Sequence, residues 1–364
     1  MNFTKRTSML TLAALALVAC GGSGGESTAT TAAGATTTST TVADTTPATE
    51  PSSTSSSAAT SSTTTIPAEP VMPLTGLPIT DPAAAQRVAL VVKIDNHPDA
   101  RPQSGLNQAD IVFEENVEQL TRFAAVFQTN APDPVGPIRS GRTQDVELLG
   151  SLNKPIFAWS GGNPGVTKAI NSSDFVVANV QTNARQQSQS YRSRDRAAPH
   201  NLYAQGSGLF TMAPEGATPP PLQFNYRKEG QASTGDSSGG VDLKMDGVNV
   251  SWKFDAGSGK YRRFQSGKAH NDAALGQVDA SNVVVLVVDY VPSPVDTKSP
   301  EAQTTGTGEA YVFSDGKVVH GTWTRNDRLN PFTLTADDGT PMLLTPGRTW
   351  VELARTDSTT PLGA

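Results

Sequence analysis

Cysteine is almost absent from this sequence: Cys20 is the single one in 364 residues. An intramolecular disulfide, a zinc site built on thiolates and a cysteine nucleophile in the later part of the chain are therefore excluded. Envelope enzymes that rely on cysteine, such as the usual L,D-transpeptidases, are excluded for the same reason.

Long apolar runs are also missing. The run at residues 9–18 follows Lys5 and Arg6 and leads to Leu-Val-Ala-Cys at 17–20. A membrane-spanning helix needs about 20 apolar residues, so residues 1–19 are predicted to be a signal peptide. Leu-Val-Ala-Cys resembles the lipobox of bacterial lipoproteins, in which the cysteine thiol receives lipid. We expect lipid on Cys20 to make the membrane a partner and to hold the protein outside the cytoplasm, anchored to the bacterial cell membrane.

Basic residues are fewer than acidic ones. The formal net charge is −6, with 28 basic against 34 acidic residues, which argues against nucleic acid as a partner. Residues 20–70 consist almost entirely of Thr, Ser, Ala, Gly and Pro. Such a composition cannot bury enough apolar surface to fold, so a disordered tether with a reach of roughly 40 Å is predicted there.

The remaining chain shows two patterns. Between residues 71 and 215, apolar segments alternate with short helical patterns, which predicts an α/β (or α+β) N-terminal domain. A proline-rich boundary follows at 213–221. From 220 to 355, short β segments separated by glycine turns predict a mainly antiparallel β domain. The predicted strands are 88–94, 109–115, 120–127, 156–159, 175–178, 222–226, 248–254, 261–264, 283–290, 310–313, 318–324 and 349–353, and helices are predicted after Ser140 and from Asn163 to Ile170.

A cluster of polar and charged residues follows the first predicted strand. An apolar run at 88–92 stops at residues 93–105, which contain an acid, an amide, an imidazole and a guanidinium. Ligands of α/β sheets collect at such strand ends, and arginine forks suit a carboxylate or phosphate. The candidate ligand-binding residues are Asp95, Asn96, His97, Arg101, Gln103, Glu114, Arg122, Arg139, Ser140, Arg142, His200 and Asn201.

Two other readings of these residues stay open. Asp95 could cap its own loop while Arg122 pairs with Glu114 or Glu118, in an internal ion-pair network. His97 and His200 could each act as a general base or only hold a backbone carbonyl. The four histidines, 97, 200, 270 and 320, are far apart in sequence without His-x₃-His spacing, so no metal site is expected, although His270-Asn271-Asp272 could supply two ligands. No other cofactor is expected, because the glycines at 161, 162 and 165 lack the lysine of a P-loop and the dinucleotide-binding spacing.

Several strings along the chain carry a family resemblance. They are Ile-Asp-Asn-His-Pro at 94–98, Ala-Arg-Pro-Gln-Ser-Gly-Leu at 100–106, Val-Gly-Pro-Ile-Arg-Ser at 135–140, Ala-Pro-His-Asn-Leu-Tyr at 198–203 and Pro-Gly-Arg-Thr-Trp-Val at 346–351. Together they resemble the YerB-like lipoproteins over nearly all of 73–354. The resemblance implies a two-domain extracytoplasmic lipoprotein and supplies no reaction. Residues 117–120 depart from it, because a glycine-containing turn is expected there.

The function expected from these residues is binding. We expect a membrane-tethered envelope lipoprotein whose Asp95 loop binds a polar or anionic ligand, such as a cell-wall fragment, or an envelope protein. One alternative is a hydrolase of cell-wall glycan or peptide that uses Asp95 or Glu114 with His97 or His200. Another is a scaffold of an envelope complex, for which a broad apolar surface patch is expected. No residue is assigned a catalytic role.

Overall fold

A computed structural model describes residues 70–364 of the chain. The predicted signal peptide, Cys20 and the tether up to residue 69 lie outside the described residues. Among residues 70–364, no helix has both the length and the apolar character needed to span a membrane.

Short helices and many strands make up the described part. The α-helices are α1 (Pro82–Ala85), α2 (Gln144–Leu148), α3 (Pro164–Asn171) and α4 (Gly206–Phe210), and 3-10 helices lie at Pro98–Ala100, Leu106–Gln108 and Gly150–Leu152. The strands are β1 (Leu90–Asp95), β2 (Ile111–Val117), β3 (Leu120–Phe127), β4 (Ile156–Trp159), β5 (Val176–Asn179), β6 (Tyr191–Arg192), β7 (Leu202–Tyr203), β8 (Asp236–Ser237), β9 (Gly240–Met245), β10 (Val248–Asp255), β11 (Lys260–Gln265), β12 (Lys268–Ala269), β13 (Asn271–Asp272), β14 (Gly276–Gln277), β15 (Asp279–Ala280), β16 (Asn282–Val287), β17 (Tyr290–Ser293), β18 (Asp296–Ala302), β19 (Gly306–Ser314), β20 (Lys317–Arg325), β21 (Thr333–Ala336), β22 (Thr349–Ala354) and β23 (Thr359–Leu362).

One mixed sheet of 11 strands runs through both halves of this chain. Its order is β21-β20-β19-β16-β22-β2-β3-β1-β4-β5, with β8 beside β20. Strands β1, β4 and β5 are parallel neighbours, whereas β2, β3 and β1 are joined in antiparallel pairs. Strand β22 lies parallel to both β16 and β2, with Ile111 opposite Thr349. The sequence patterns do not predict that the N-terminal and C-terminal halves share one sheet.

The two faces of this sheet have separate cores, as the alternation of strand side chains requires. Leu90, Val92 and Ile94 pack in a cluster with Val250 and Trp252 of the smaller six-stranded sheet, β12-β11-β10-β9-β23 with β15. Val91 points to the opposite face, where α2 and α3 are packed. Strand β1 is therefore buried on both sides, and its polar C-terminal end is held rigidly.

The predicted elements agree with the structure to different degrees. The C-terminal half is mainly antiparallel, as expected. Helix α3 has the predicted Asn163 cap, since Asn163 Oδ1 accepts the amide hydrogen of Val166 at 2.9 Å. The strand predicted at 222–226 is wrong: this segment has an isolated bridge from Tyr226 to Leu344 instead. The helix predicted after Ser140 is only five residues long before a 3-10 turn.

Candidate functional site

Asp95, the last residue of β1, is the centre of the site. It is buried (4% exposed) and stands opposite Arg122 of β3 in the strand register. The chain then turns into the 3-10 helix at Pro98–Ala100, where His97 Nδ1 accepts the Asp99 amide hydrogen at 3.2 Å. Pro98 is the first residue of that helix, where proline is favourable because the amide hydrogen it lacks would have no partner within the helix. The Asp95 carboxylate and the His97 imidazole therefore lie at the C-terminal end of the buried strand β1.

Three groups converge on the Asp95 carboxylate. His200 Nδ1 lies 2.7 Å from Oδ2, and the His97 amide donates to Oδ1 at 3.0 Å. Arg139 Nε is 3.2 Å from Oδ2, an ion-pair distance without hydrogen-bond alignment. Arg139 reaches this point because its backbone amide donates to Lys93 O of β1 at 2.8 Å. Asp95 therefore orients one imidazole and balances one guanidinium.

The two imidazoles lie face to face. The His97 and His200 ring centroids are 4.1 Å apart with an interplanar angle of 15°. Because Asp95 occupies Nδ1 of His200, the Nε2 atom of that ring is left for another partner. The sequence separates these histidines by 103 residues, and the structure brings them into contact. Distance in the sequence therefore does not keep these two histidines apart in the fold.

A small cleft of about 120 Å³ opens beside these rings. Its lining consists of Asp95, His97, Val117, Glu118, Leu120, Thr121, Arg122, Arg139 and His200. Arg122 is 9% exposed and donates from Nη1 to Ser140 O at 3.0 Å. Ser140 thus contributes its backbone carbonyl. Arg142 lies at the rim and pairs through Nη2 with Glu118 Oε1 at 2.9 Å.

Two arginines and two carboxylates line the cleft, and Arg142 at its rim adds a third guanidinium. Burial, together with the charges of Arg142 and Arg139, lowers the pKa of Arg122 to about 10, against the opposing charges of Asp95 and Glu118. Among residues 70–364, Arg122 has no ion pair of its own, because Asp95 pairs with Arg139 and Glu118 with Arg142. A buried guanidinium without a carboxylate partner is unusual in a protein interior.

Glu114 is not in this cleft. It is fully buried and accepts two hydrogen bonds from Arg263 Nη2, at 2.8 and 2.7 Å. Thr121 Oγ1 donates to the same carboxylate at 2.7 Å. Glu114 is therefore out of reach of a substrate bound from solution. It cannot be one of the two acid–base residues considered for a hydrolase.

Asn96, Gln103 and Arg101 brace the loop from behind. Gln103 Nε2 donates to Asp95 O at 2.9 Å, and its Oε1 is 2.8 Å from His270 Nε2. Asn96 Nδ2 donates to Thr121 Oγ1 at 2.6 Å, and Arg101 Nη2 donates to Asn96 O at 3.4 Å. Burial and the charges of Arg263 and Arg101 lower the pKa of His270. Of the internal network expected as an alternative, Asp95 does cap its own loop, through the hydrogen bond from the His97 amide. The expected pairing of Arg122 is wrong for the described residues, because Glu114 pairs with Arg263 and Glu118 with Arg142.

The loop that carries His200 is fixed in a similar way. Asn201 Nδ2 donates to Ser193 O at 2.9 Å and to Arg196 O at 3.0 Å. Arg196 in turn donates from Nη2 to Pro102 O at 2.7 Å. Asn201 supports the loop without lining the cleft.

Sequence reasoning gave too little weight to two groups. Asp99 is exposed, and its Oδ2 is 3.6 Å from His97 Nδ1, so that His97, Asp99 and His200 offer donor atoms within 4.8 Å of one another. Arg263, which holds Glu114, lies 149 residues from it, and no local pattern indicates that pairing. The Asp99 signal was available, since His-x-Asp is visible in the sequence.

Comparison with known proteins supports the resemblance seen in the sequence. The N-terminal domain described as "Protein of unknown function (DUF3048)" matches residues 74–217, and its C-terminal domain matches residues 241–351. YerB of Bacillus subtilis (strain 168), whose name describes it as a lipoprotein, is 29% identical over 290 residues, 77% of this chain and 85% of that protein. The crystal structure of YerB from Bacillus subtilis has a TM-score of 0.68 at 26% identity, covering 80% of this chain and 99% of the crystallised one. The chain therefore belongs to the YerB-like family, with the N-terminal and C-terminal DUF3048 domains in one polypeptide.

Proposed function

We propose that this protein is an extracytoplasmic lipoprotein, tethered to the membrane through Cys20, that binds an anionic group in the cleft beside Asp95. The observation that carries the proposal is the buried side chain of Arg122, which lines the cleft without an ion pair among the described residues. An incoming carboxylate or phosphate would supply the missing negative charge. Such charge-assisted bonds are about twice as strong as neutral ones.

The size of the cleft limits what enters it. A volume of about 120 Å³ corresponds to roughly four water molecules. Pockets for drug-sized molecules are larger, about 300–1,000 Å³. The cleft therefore suits one acidic end group of a larger molecule, such as the carboxylate of a wall peptide or a phosphate of a wall polymer.

Arg122→Gln tests this proposal. Removing a charged donor from a bound anion costs about 1.5–3 kcal/mol, so the dissociation constant for inorganic phosphate or acetate is expected to rise about 10–100-fold. The measurement is isothermal titration calorimetry of the full-length chain in detergent.

Arg194→Gln is the matched control, because Arg194 is an exposed arginine of the loop that carries His200 and does not line the cleft. It should bind like the unmodified protein. The proposal fails if neither anion binds, or if Arg122→Gln binds as tightly as the control. Loss of binding in Arg194→Gln alone would move the anion site to the basic loop at 192–196.

A second candidate function rests on the 2.7 Å contact between Asp95 and His200. A carboxylate that fixes an imidazole tautomer is the usual support of a general base. Thr121, the hydroxyl residue of the lining, is bonded to Glu114 and Asn96, so water would have to be the nucleophile. Hydrolysis of wall glycan or peptide that His200→Gln abolishes would favour this candidate. If His200→Gln hydrolyses the same substrate at the rate of the unmodified protein, this candidate function is excluded.

A further inference from the structure

We propose that His97, Asp99 and His200 form a binding site for a divalent transition-metal ion such as Zn²⁺ at the mouth of the cleft. This inference goes beyond anion binding, since it assigns a second ligand to residues of which Arg122 is not one. Two imidazoles and one carboxylate offer donor atoms that all lie within 4.8 Å of one another. That ligand set is common for zinc and for other first-row metals.

The His200 ring is already oriented for a metal, whereas His97 Nδ1 must first release the hydrogen bond that it accepts from the Asp99 amide. His200 Nδ1 is held by Asp95 at 2.7 Å, which leaves Nε2 as the donor. A carboxylate behind a metal-bound imidazole is the usual arrangement, because it fixes the ring and makes its other nitrogen more basic. His97 Nδ1 accepts a long hydrogen bond from the Asp99 amide at 3.2 Å, and Asp99 Oδ2 lies 3.6 Å from the same nitrogen. One ion can contact both atoms.

Closing the cluster on an ion requires the Asp99 side chain and the His97 ring to move. Tetrahedral zinc with bonds of about 2.0–2.1 Å keeps its ligands roughly 3.4 Å apart. The side chains that must move are the exposed ones, Asp99 (70% exposed) and His97 (35% exposed), whereas His200 (13% exposed) is fixed. An imidazole binds a metal in the plane of its ring, so the His97 ring is expected to turn out of the 4.1 Å stack with His200.

Three protein ligands leave one position of a four-coordinate ion open. Structural zinc sites use four protein ligands, whereas sites that bind a further molecule use three. His97 and His200 also line the cleft that contains Arg122 and Arg139. The open position is therefore next to the anion cleft, where the same acidic group can contact both the ion and an arginine.

A second histidine cluster provides a matched control. His320 Nδ1 is 2.6 Å from Asp337 Oδ2, and His320 Nε2 is 3.0 Å from Glu309 Oε1. Both ring nitrogens of His320 are thus already bonded to carboxylates, and no second imidazole belongs to that group. It has the composition of a weak surface metal site without the arrangement proposed for His97 and His200.

The test is a calorimetric titration of the full-length chain, in detergent and freed of metal with a chelator, with ZnCl₂ alone. One ion per chain is expected to bind. Asp99→Asn and His97→Ala each remove a ligand, so each should weaken binding by more than the ~10–100-fold that loss of an outer hydrogen-bond partner costs. His320→Ala should bind like the unmodified protein. Asp99 is exposed, so its variant is expected to fold even if His97→Ala does not.

Histidine ring NMR supplies an independent readout. Zn²⁺ should shift the His97 and His200 ring signals as the stack opens, and leave those of His320 unchanged. The inference is overturned if Zn²⁺ does not bind, if Asp99→Asn and His97→Ala bind normally, or if His320→Ala alone abolishes binding. Phosphate titration without metal tests the proposed function separately, so the two ideas can fail independently.

Discussion

Lys93 is a fully buried lysine in the middle of β1, two residues before the site. It pairs with Glu115 of β2 and, at 2.6 Å, with Asp145 of α2. Burial and the charge of Asp145 raise the pKa of Glu115 to about 7, even though Lys93 opposes the rise. One ammonium group contacts two carboxyl groups. The net charge of the three groups is therefore zero when Glu115 is protonated and Asp145 is ionised.

Glu115→Gln is expected to change how stability depends on pH. The unfolded carboxyl loses its proton near its ordinary pKa of 4.5 and the folded one near 7. Unfolding therefore releases a proton between these values, and the free energy of unfolding falls as pH rises from about 5 to 8. The fall is at most roughly 3 kcal/mol. Glutamine cannot ionise, so the variant should lose this part of the slope in urea unfolding at pH 5, 6, 7 and 8.

Glu215→Gln, at an exposed position, is the matched control and should keep the slope of the unmodified protein. If Glu115→Gln keeps it as well, Glu115 is ionised throughout and the charge balance around Lys93 is different.

The hairpin of β2 and β3 forms one wall of the cleft. Its two-residue turn, Glu118-Gln119, has positive φ angles of 47° and 70°. Two-residue turns of this kind favour Asn-Gly, because side chains other than glycine are strained there. A glycine-containing turn is what the family resemblance led us to expect at this point. The chain keeps the backbone geometry without the glycine, and Glu118 pairs with Arg142 across the cleft rim.

Gln119→Gly is expected to stabilise the protein by up to about 1 kcal/mol, because relief of the left-handed penalty of about 1–2 kcal/mol at φ of 70° exceeds the entropic cost of glycine, about 0.5–1 kcal/mol. Chemical unfolding at fixed pH measures this. Gln303→Gly, at an exposed position without positive φ, should instead lower stability by roughly 0.5–1 kcal/mol. Equal destabilisation by both changes would mean that the turn is not strained.

Sequence patterns located these elements better than they located the contacts between them. The apolar run before Asp95 and the cap at Asn163 follow from local periodicity. The order of the strands does not: sequence order places Glu114 on the strand beside β1 and Arg122 on the next, whereas β3, which carries Arg122, pairs with β1. The contact of Asp95 with His200 joins positions 105 residues apart, and local patterns carry no information about it. Glu114 is assigned to the site from the sequence because it lies near the end of a strand predicted beside that of Asp95. It lies inside because Arg263, on a strand of the other half, neutralises it.

At the scale of the whole molecule, the described residues 70–364 form one compact unit. We expect lipid on Cys20 to hold that unit at the membrane. Cys20→Ala should therefore move the protein from the membrane fraction to the soluble fraction, because each lipid methylene removed from the bilayer loses about 0.8 kcal/mol of binding. Immunoblotting of fractionated cells measures this. Membrane association that persists in Cys20→Ala would mean that another segment is the anchor.

The position of β22 has a consequence for how the protein is made. Strand β2 pairs on one side with β22, 238 residues later, as Ile111 opposite Thr349 shows. A chain that emerges from its N-terminus therefore presents β2 with one edge unpaired until residues 349–354 have also emerged. Unpaired edges recruit other strands, and such distant pairing is slow. Nascent chains can therefore aggregate during a long interval before β22 is made. In a chain truncated before β22, this edge of β2 stays unpaired.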